Sequence, residues 1–69
     1  MINYREILQS ILHSLFTNGD FGDELNYDNV DDFYAHLGYD LNLNQELIKL
    51  GIEGTSDLLD FLKEYEESN

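Results

Sequence analysis

Six of the thirteen residues from Asp20 to Asp32 are acids: Asp20, Asp23, Glu24, Asp28, Asp31 and Asp32. A carboxylate can move a proton, hold a hard cation or imitate a phosphate, and spacing separates these uses. Acids three or four residues apart on a helix have Cβ atoms about 5–6 Å apart, and their tips lie further apart. Phosphates along a DNA strand are roughly 7 Å apart, from a ~3.4 Å rise and the helical path of the backbone. Asp28, Asp31 and Asp32 have this spacing, as do Asp57, Asp60, Glu64 and Glu67. Each set predicts a phosphate-like row along a helix edge. Phe21, Tyr27 and Tyr39 lie in or near the first acidic stretch and are candidate aromatic anchors for a partner. Tyr34 is assigned to the core.

The other chemistries fit less well. Asp40, Asn42 and Asn44 match the first three ligands of a calcium loop, but Gln45 takes the place of the turn glycine and Gly51 that of the bidentate glutamate. His13 and Ser14 are adjacent, so on a helix they point about 100° apart, which is poor geometry for a nucleophile and its base. With no cysteine and no convergent motif, the chain reads as a non-enzyme that needs no metal or cofactor. Residues 46–62 read helix, glycine turn, helix, in the manner of a DNA-binding motif. The would-be recognition helix carries Asp57, Asp60, Glu64, Glu66 and Glu67 against Lys63, and this charge excludes direct DNA binding.

Between Arg5 and Lys49 there is no lysine or arginine, and that interval holds nine carboxylates. Over 69 residues the formal charge is −12. Such an excess adds self-repulsion to the compact state and favours a strongly basic partner, such as a protein surface that otherwise binds nucleic acid. It also discourages self-association, so a monomer is expected. Neither a membrane-length apolar run nor a basic N-terminal leader is present, so a soluble protein of the host-cell cytoplasm is the default expectation.

The elements that must position these groups follow from apolar periodicity. Tyr4, Ile7, Leu8, Ile11, Leu12, Leu15 and Phe16 form one stripe of a first helix, with Asn3 as its N-cap and Gly19 as a left-handed stop. Residues 20–27 predict a loop. Asp28 is expected to cap a second helix with Val30, Phe33, Tyr34 and Leu37 inside and Gly38 at its end. Asn44 is expected to cap a third helix over about 45–50, with Leu43 and Ile48 as its hydrophobic staple. Thr55 or Ser56 should cap a fourth, with Leu58, Leu59, Leu62 and Tyr65 on one face and Phe61 at its edge.

The sum is one all-α domain, 1–69, a compact bundle of about four short helices. An α+β alternative would pair 20–27 with 39–43 as a two-stranded ribbon. The expected core is Ile7, Leu8, Ile11, Leu12, Leu15, Phe33, Leu37, Leu47, Ile48, Leu50, Leu58, Leu59 and Leu62. A chain this short buries only about 60% of its unfolded surface, so its stability should be marginal and sensitive to charge. Small size, extreme acidity, the absence of cysteine and a helical build resemble the inhibitors that bacteriophages and mobile elements use against nucleic-acid enzymes: anti-restriction, uracil-DNA glycosylase-inhibiting and anti-CRISPR proteins. The resemblance is one of character and carries over no residue role. It implies a stoichiometric inhibitor seated in a basic groove. The alternative is an acidic adaptor or antitoxin-like module docking through the aromatic residues around the loop.

Overall fold

Asn3 starts the first helix: its side chain accepts a 2.9 Å hydrogen bond from the Arg5 N–H, satisfying a donor that the helix leaves unpaired. In the computed structural model, which describes residues 3–22 and 24–68, four helices follow in order. They are α1 (Tyr4–Asn18), α2 (Tyr27–Leu37), α3 (Leu41–Lys49) and α4 (Thr55–Ser68). The chain is all-α, as its periodicity predicts. No strand occurs among the described residues, because Tyr27 already opens α2 and Leu41 opens α3.

The helix boundaries differ from expectation in instructive ways. Gly19 ends α1 in extended backbone (φ −92°, ψ 171°), not in the left-handed region. Its lack of a side chain matters for another reason: a Cβ there would collide with the Phe21 ring. The cap of α2 is Asn26, which accepts from the Asn29 N–H at 2.8 Å, two residues ahead of Asp28. The cap of α3 is Asp40, whose carboxylate accepts from the Asn42 and Leu43 N–H groups. Asn44 therefore lies inside the helix, and the expected Leu43–Ile48 staple is replaced by an ordinary helical turn. Gly51 (φ +84°) closes α3 as a Schellman motif, with the Gly51 N–H on the Ile48 carbonyl at 2.9 Å and the Ile52 N–H on the Leu47 carbonyl at 2.8 Å. At α4 the Gly54 carbonyl accepts from Leu58, so Thr55 is the first helical residue and not the cap.

Packing runs in an open series: α1 on α4, α4 on α2, and α2 on α3. The buried core comprises Leu8, Leu12 and Phe16 of α1, Val30, Phe33 and Leu37 of α2, Leu47, Ile52, and Leu58, Phe61 and Leu62 of α4. Four expected core residues lie outside it: Ile7, Ile11, Leu15 and Ile48 are 43–48% exposed. The apolar stripe of α1 is wider than the surface offered to it. Leu8, Leu12 and Phe16 are buried in the core, while Ile7, Ile11 and Leu15 lie on a half-exposed flank that no neighbouring helix fully covers. Leu50 and Leu59 are partly buried against the core, and Phe16, Val30, Ile52 and Phe61 complete it instead.

Candidate acidic interface

The two acid rows belong to helices that pack on each other, but not every acid in them projects freely. On α2, Asp31 turns towards α4 and accepts a 2.7 Å hydrogen bond from the buried Thr55 hydroxyl. Asp28 and Asp32 are exposed and have no side-chain partner among the described residues. Asp28 stands in the first turn, where the helix dipole favours a negative charge. On α4, Asp57 accepts from the Glu53 N–H at 3.2 Å, and Glu64 takes both the Arg5 guanidinium at 2.8 Å and the Gln9 amide at 3.2 Å. Asp60 and Glu67 remain exposed without a side-chain partner among the described residues. They are seven residues apart, about 10 Å along the axis, so the α4 row is interrupted. Asp20 and Glu24 are exposed on the loop, and Asp23 lies outside the described residues.

The aromatic candidates divide. Phe21 is partly buried: it stands edge-on to Phe33 at 5.0 Å, parallel to Phe16 at 6.2 Å and against the His36 ring at 5.5 Å. It closes the core beneath the loop. Tyr39, just past α2, is 90% exposed, and Tyr27, at the start of α2, is 54% exposed. About 16 Å of helix separates them, so they do not form one patch. Phe21 and Tyr39 do line one groove, of about 640 Å³, together with Leu15, Leu37, Leu43, Asp20 and Asp40.

The remaining motifs resolve into structure. Asp40, Asn42 and Asn44 form the cap and first turn of α3 and not a calcium loop. Among the described residues no three acids or histidines converge in a way that could hold a metal. His13 approaches Glu66 at 3.2 Å and lies 5.0 Å from the Tyr65 ring, while the Ser14 hydroxyl accepts from Asn18. α3 has α2 as its packed neighbour, not α4, which departs from the helix–turn–helix reading of 46–62.

One contact had no sequence signal. The Tyr4 hydroxyl donates to Glu46 at 2.6 Å, bridging α1 and α3 across 42 residues of chain. That bond, aided by Lys49 at 3.4 Å, holds the Glu46 carboxyl below its ordinary 4.5. The same bond, with some burial and the nearby negative charge, raises the Tyr4 phenol above 10.0. Neither apolar periodicity nor charge spacing encodes a pair so distant in sequence. No helix among the described residues is long and apolar enough to cross a membrane. In comparisons with protein-family models, curated proteins and solved structures, the chain matches none.

Proposed function

We propose that the protein is a non-enzymatic, stoichiometric inhibitor that occupies the nucleic-acid-binding groove of a basic host protein or complex. The observation that carries this reading is that six of the candidate carboxylates, Asp20, Glu24, Asp28, Asp32, Asp60 and Glu67, are exposed and have no side-chain partner among the described residues. An acid that caps a helix or pairs with a base is committed to the fold; these six are not, and a cationic surface would neutralise them without displacing an internal contact. Asp57, Asp31 and Glu64 are withdrawn from the binding set, because each already holds the structure together.

The test is retention of a nucleic-acid-binding protein from nuclease-treated lysate at low salt, and its release by added DNA or RNA. Asp28→Lys with Asp32→Lys should abolish retention while helicity persists. Undiminished retention by that double variant would overturn the proposal. Association should also be fast and weaken steeply with salt, since charge steers it.

A second reading rests on the groove at Phe21 and Tyr39, where a 90% exposed tyrosine stands over an apolar wall. A partner docked there would bind through apolar burial and survive high salt. Tyr39→Ala would then cost more affinity than any single charge reversal, and an unchanged affinity would end this reading.

A further inference from the structure

The groove beside Phe21 and Tyr39 joins an apolar wall to carboxylates. Phe33 and Leu37 of α2, both buried, form its floor, and Leu15 of α1, Leu43 of α3 and the Phe21 ring form its sides. Two exposed acids line it as well, each beside an aromatic in sequence: Asp20 precedes Phe21, and Asp40 follows Tyr39. Asp20 has no side-chain partner among the described residues. Asp40 caps α3, but both of its cap bonds go to Oδ1, so the cap does not use Oδ2. Among the described residues no lysine or arginine lines the groove. Arg5 is held by Glu64 and Lys49 by Glu46, each away from it.

We infer that this groove seats an amphipathic basic helix of the partner. Its apolar side chains lie against Leu15, Leu37 and Leu43, and lysines or arginines beside them reach Asp20 and Asp40. The inference rests on the inhibitory function proposed above for the partner's basic charge, and it adds an apolar anchor to the carboxylate contact. Charge complementarity selects this occupant. An acidic ligand would meet two carboxylates and no base. A neutral apolar ligand would strip water from both acids and return no counter-charge, which costs free energy. A second copy of the chain would bring the same two acids and a further charge of −12. A lysine or arginine beside an apolar side chain does better on both counts: its stem covers apolar wall while its head neutralises an acid.

Size and architecture fit such a segment. At about 640 Å³ the groove falls within the ~300–1,000 Å³ of built binding pockets. Its walls are side chains of three helices, and no strand among the described residues offers an edge to an extended peptide. A helix presents apolar side chains to a groove of this kind from positions three and four residues apart. Asp20 belongs both to the groove and to the uncommitted acids, so the two surfaces are continuous there. Salt should therefore remove only part of the affinity: it screens the ion pairs and leaves the apolar contact.

The test is an NMR titration of the labelled full chain with a blocked helical peptide that carries leucines on one face and lysines on the other. Two control peptides replace the leucines by alanine or the lysines by glutamine. Expected are shifts at the Leu15, Tyr39 and Leu43 amides, and affinity for the parent peptide on the order of 10-fold above that for either control. Tyr39→Ala and Asp20→Lys should each weaken it on the order of 10-fold. Both residues are exposed, and the spectrum of each free variant verifies its fold. The inference is overturned if the groove amides do not shift, if either control binds as tightly as the parent, or if neither substitution weakens binding. Groove amides that shift on dilution without peptide would make a second copy the occupant and overturn it too. If the alanine control binds equally while DNA still releases the lysate partner, this inference fails and the inhibitory function stands. If the peptide seats in the groove but DNA releases nothing, the inhibitory function fails and the groove assignment stands.

Discussion

The Asp31 carboxylate accepts a 2.7 Å hydrogen bond from the Thr55 hydroxyl, joining the middle of α2 to the first residue of α4. Thr55 is 8% exposed, so removing its acceptor leaves a hydroxyl with little access to water. Asp31→Ala should destabilise the fold by about 1–3 kcal/mol, the cost of an unsatisfied buried polar group. Asp32→Ala, one residue on and exposed, should fall within about 0.5 kcal/mol of the parent. Chemical denaturation of the two variants side by side measures the difference. Equal stability would mean that the bond contributes nothing and that Asp31 is available to a partner after all.

Helix existence was legible in this chain because apolar periodicity reports it directly, and Asn3 was legible as a cap because an asparagine immediately precedes an unbroken stripe. The starts of α2 and α3 were less so. Asn26 and Asp28 are both good caps, and only the backbone chooses between them. At α3 the alternation Leu41-Asn42-Leu43-Asn44 resembles an extended piece, which hid Asp40 as the cap. For the candidate interface, spacing located the acids on the right helices but could not foretell which would be consumed. Asp31, Asp57 and Glu64 bond to Thr55, Glu53 and Arg5, contacts made by tertiary packing or local loop geometry and invisible to a row count.

Gly22 and Gly51 both have positive φ, at 121° and 84°, but their surroundings differ. A Cβ on Gly51 meets nothing within 4 Å, whereas one on Gly22 would strike the Asn29 amide. That amide donates to the Glu24 carbonyl at 2.8 Å and so ties the loop to α2. Gly51→Asn should cost under about 1 kcal/mol, because asparagine tolerates left-handed backbone. Gly22→Asn should cost more, about 2 kcal/mol, through backbone strain together with the lost tie. Thermal denaturation ranks them, and the reverse order would refute this account of the loop.

The Tyr4–Glu46 bond gives the protein an acid-sensitive component. Glu46 has its folded pKa below the unfolded 4.5, so its contribution is present above 4.5 and lost as pH falls through the folded value. Tyr4 has the opposite sign: its folded pKa lies above 10.0, so its contribution is present below 10.0 and lost as pH rises through the raised value. Tyr4→Phe should return the Glu46 carboxyl towards 4.5, only partly because Lys49 remains. An NMR titration of Glu46 reads this directly. Between these limits the −12 charge governs, so added salt at pH 8 should raise the melting temperature by screening. A melting temperature indifferent to salt would show the acids to be too dispersed to repel.

Leu12 and Ile11 are adjacent in sequence, yet one is fully buried and the other is 47% exposed. Periodicity alone treats both as members of one stripe, so their energetics separate the packing observed here from a conventional closed bundle. Leu12→Ala removes side-chain volume from the centre of the core and leaves a cavity, which should cost about 2–5 kcal/mol. Ile11→Ala removes half-solvated surface and gains helix propensity, so at low-micromolar concentration it should cost under about 1 kcal/mol. Urea denaturation at that concentration compares the two variants. A cost for Ile11→Ala as large as that for Leu12→Ala would mean that α1 and α3 close on each other in solution. The exposed flank would then be part of the core, and the groove beside Phe21 and Tyr39 would not be open to a partner.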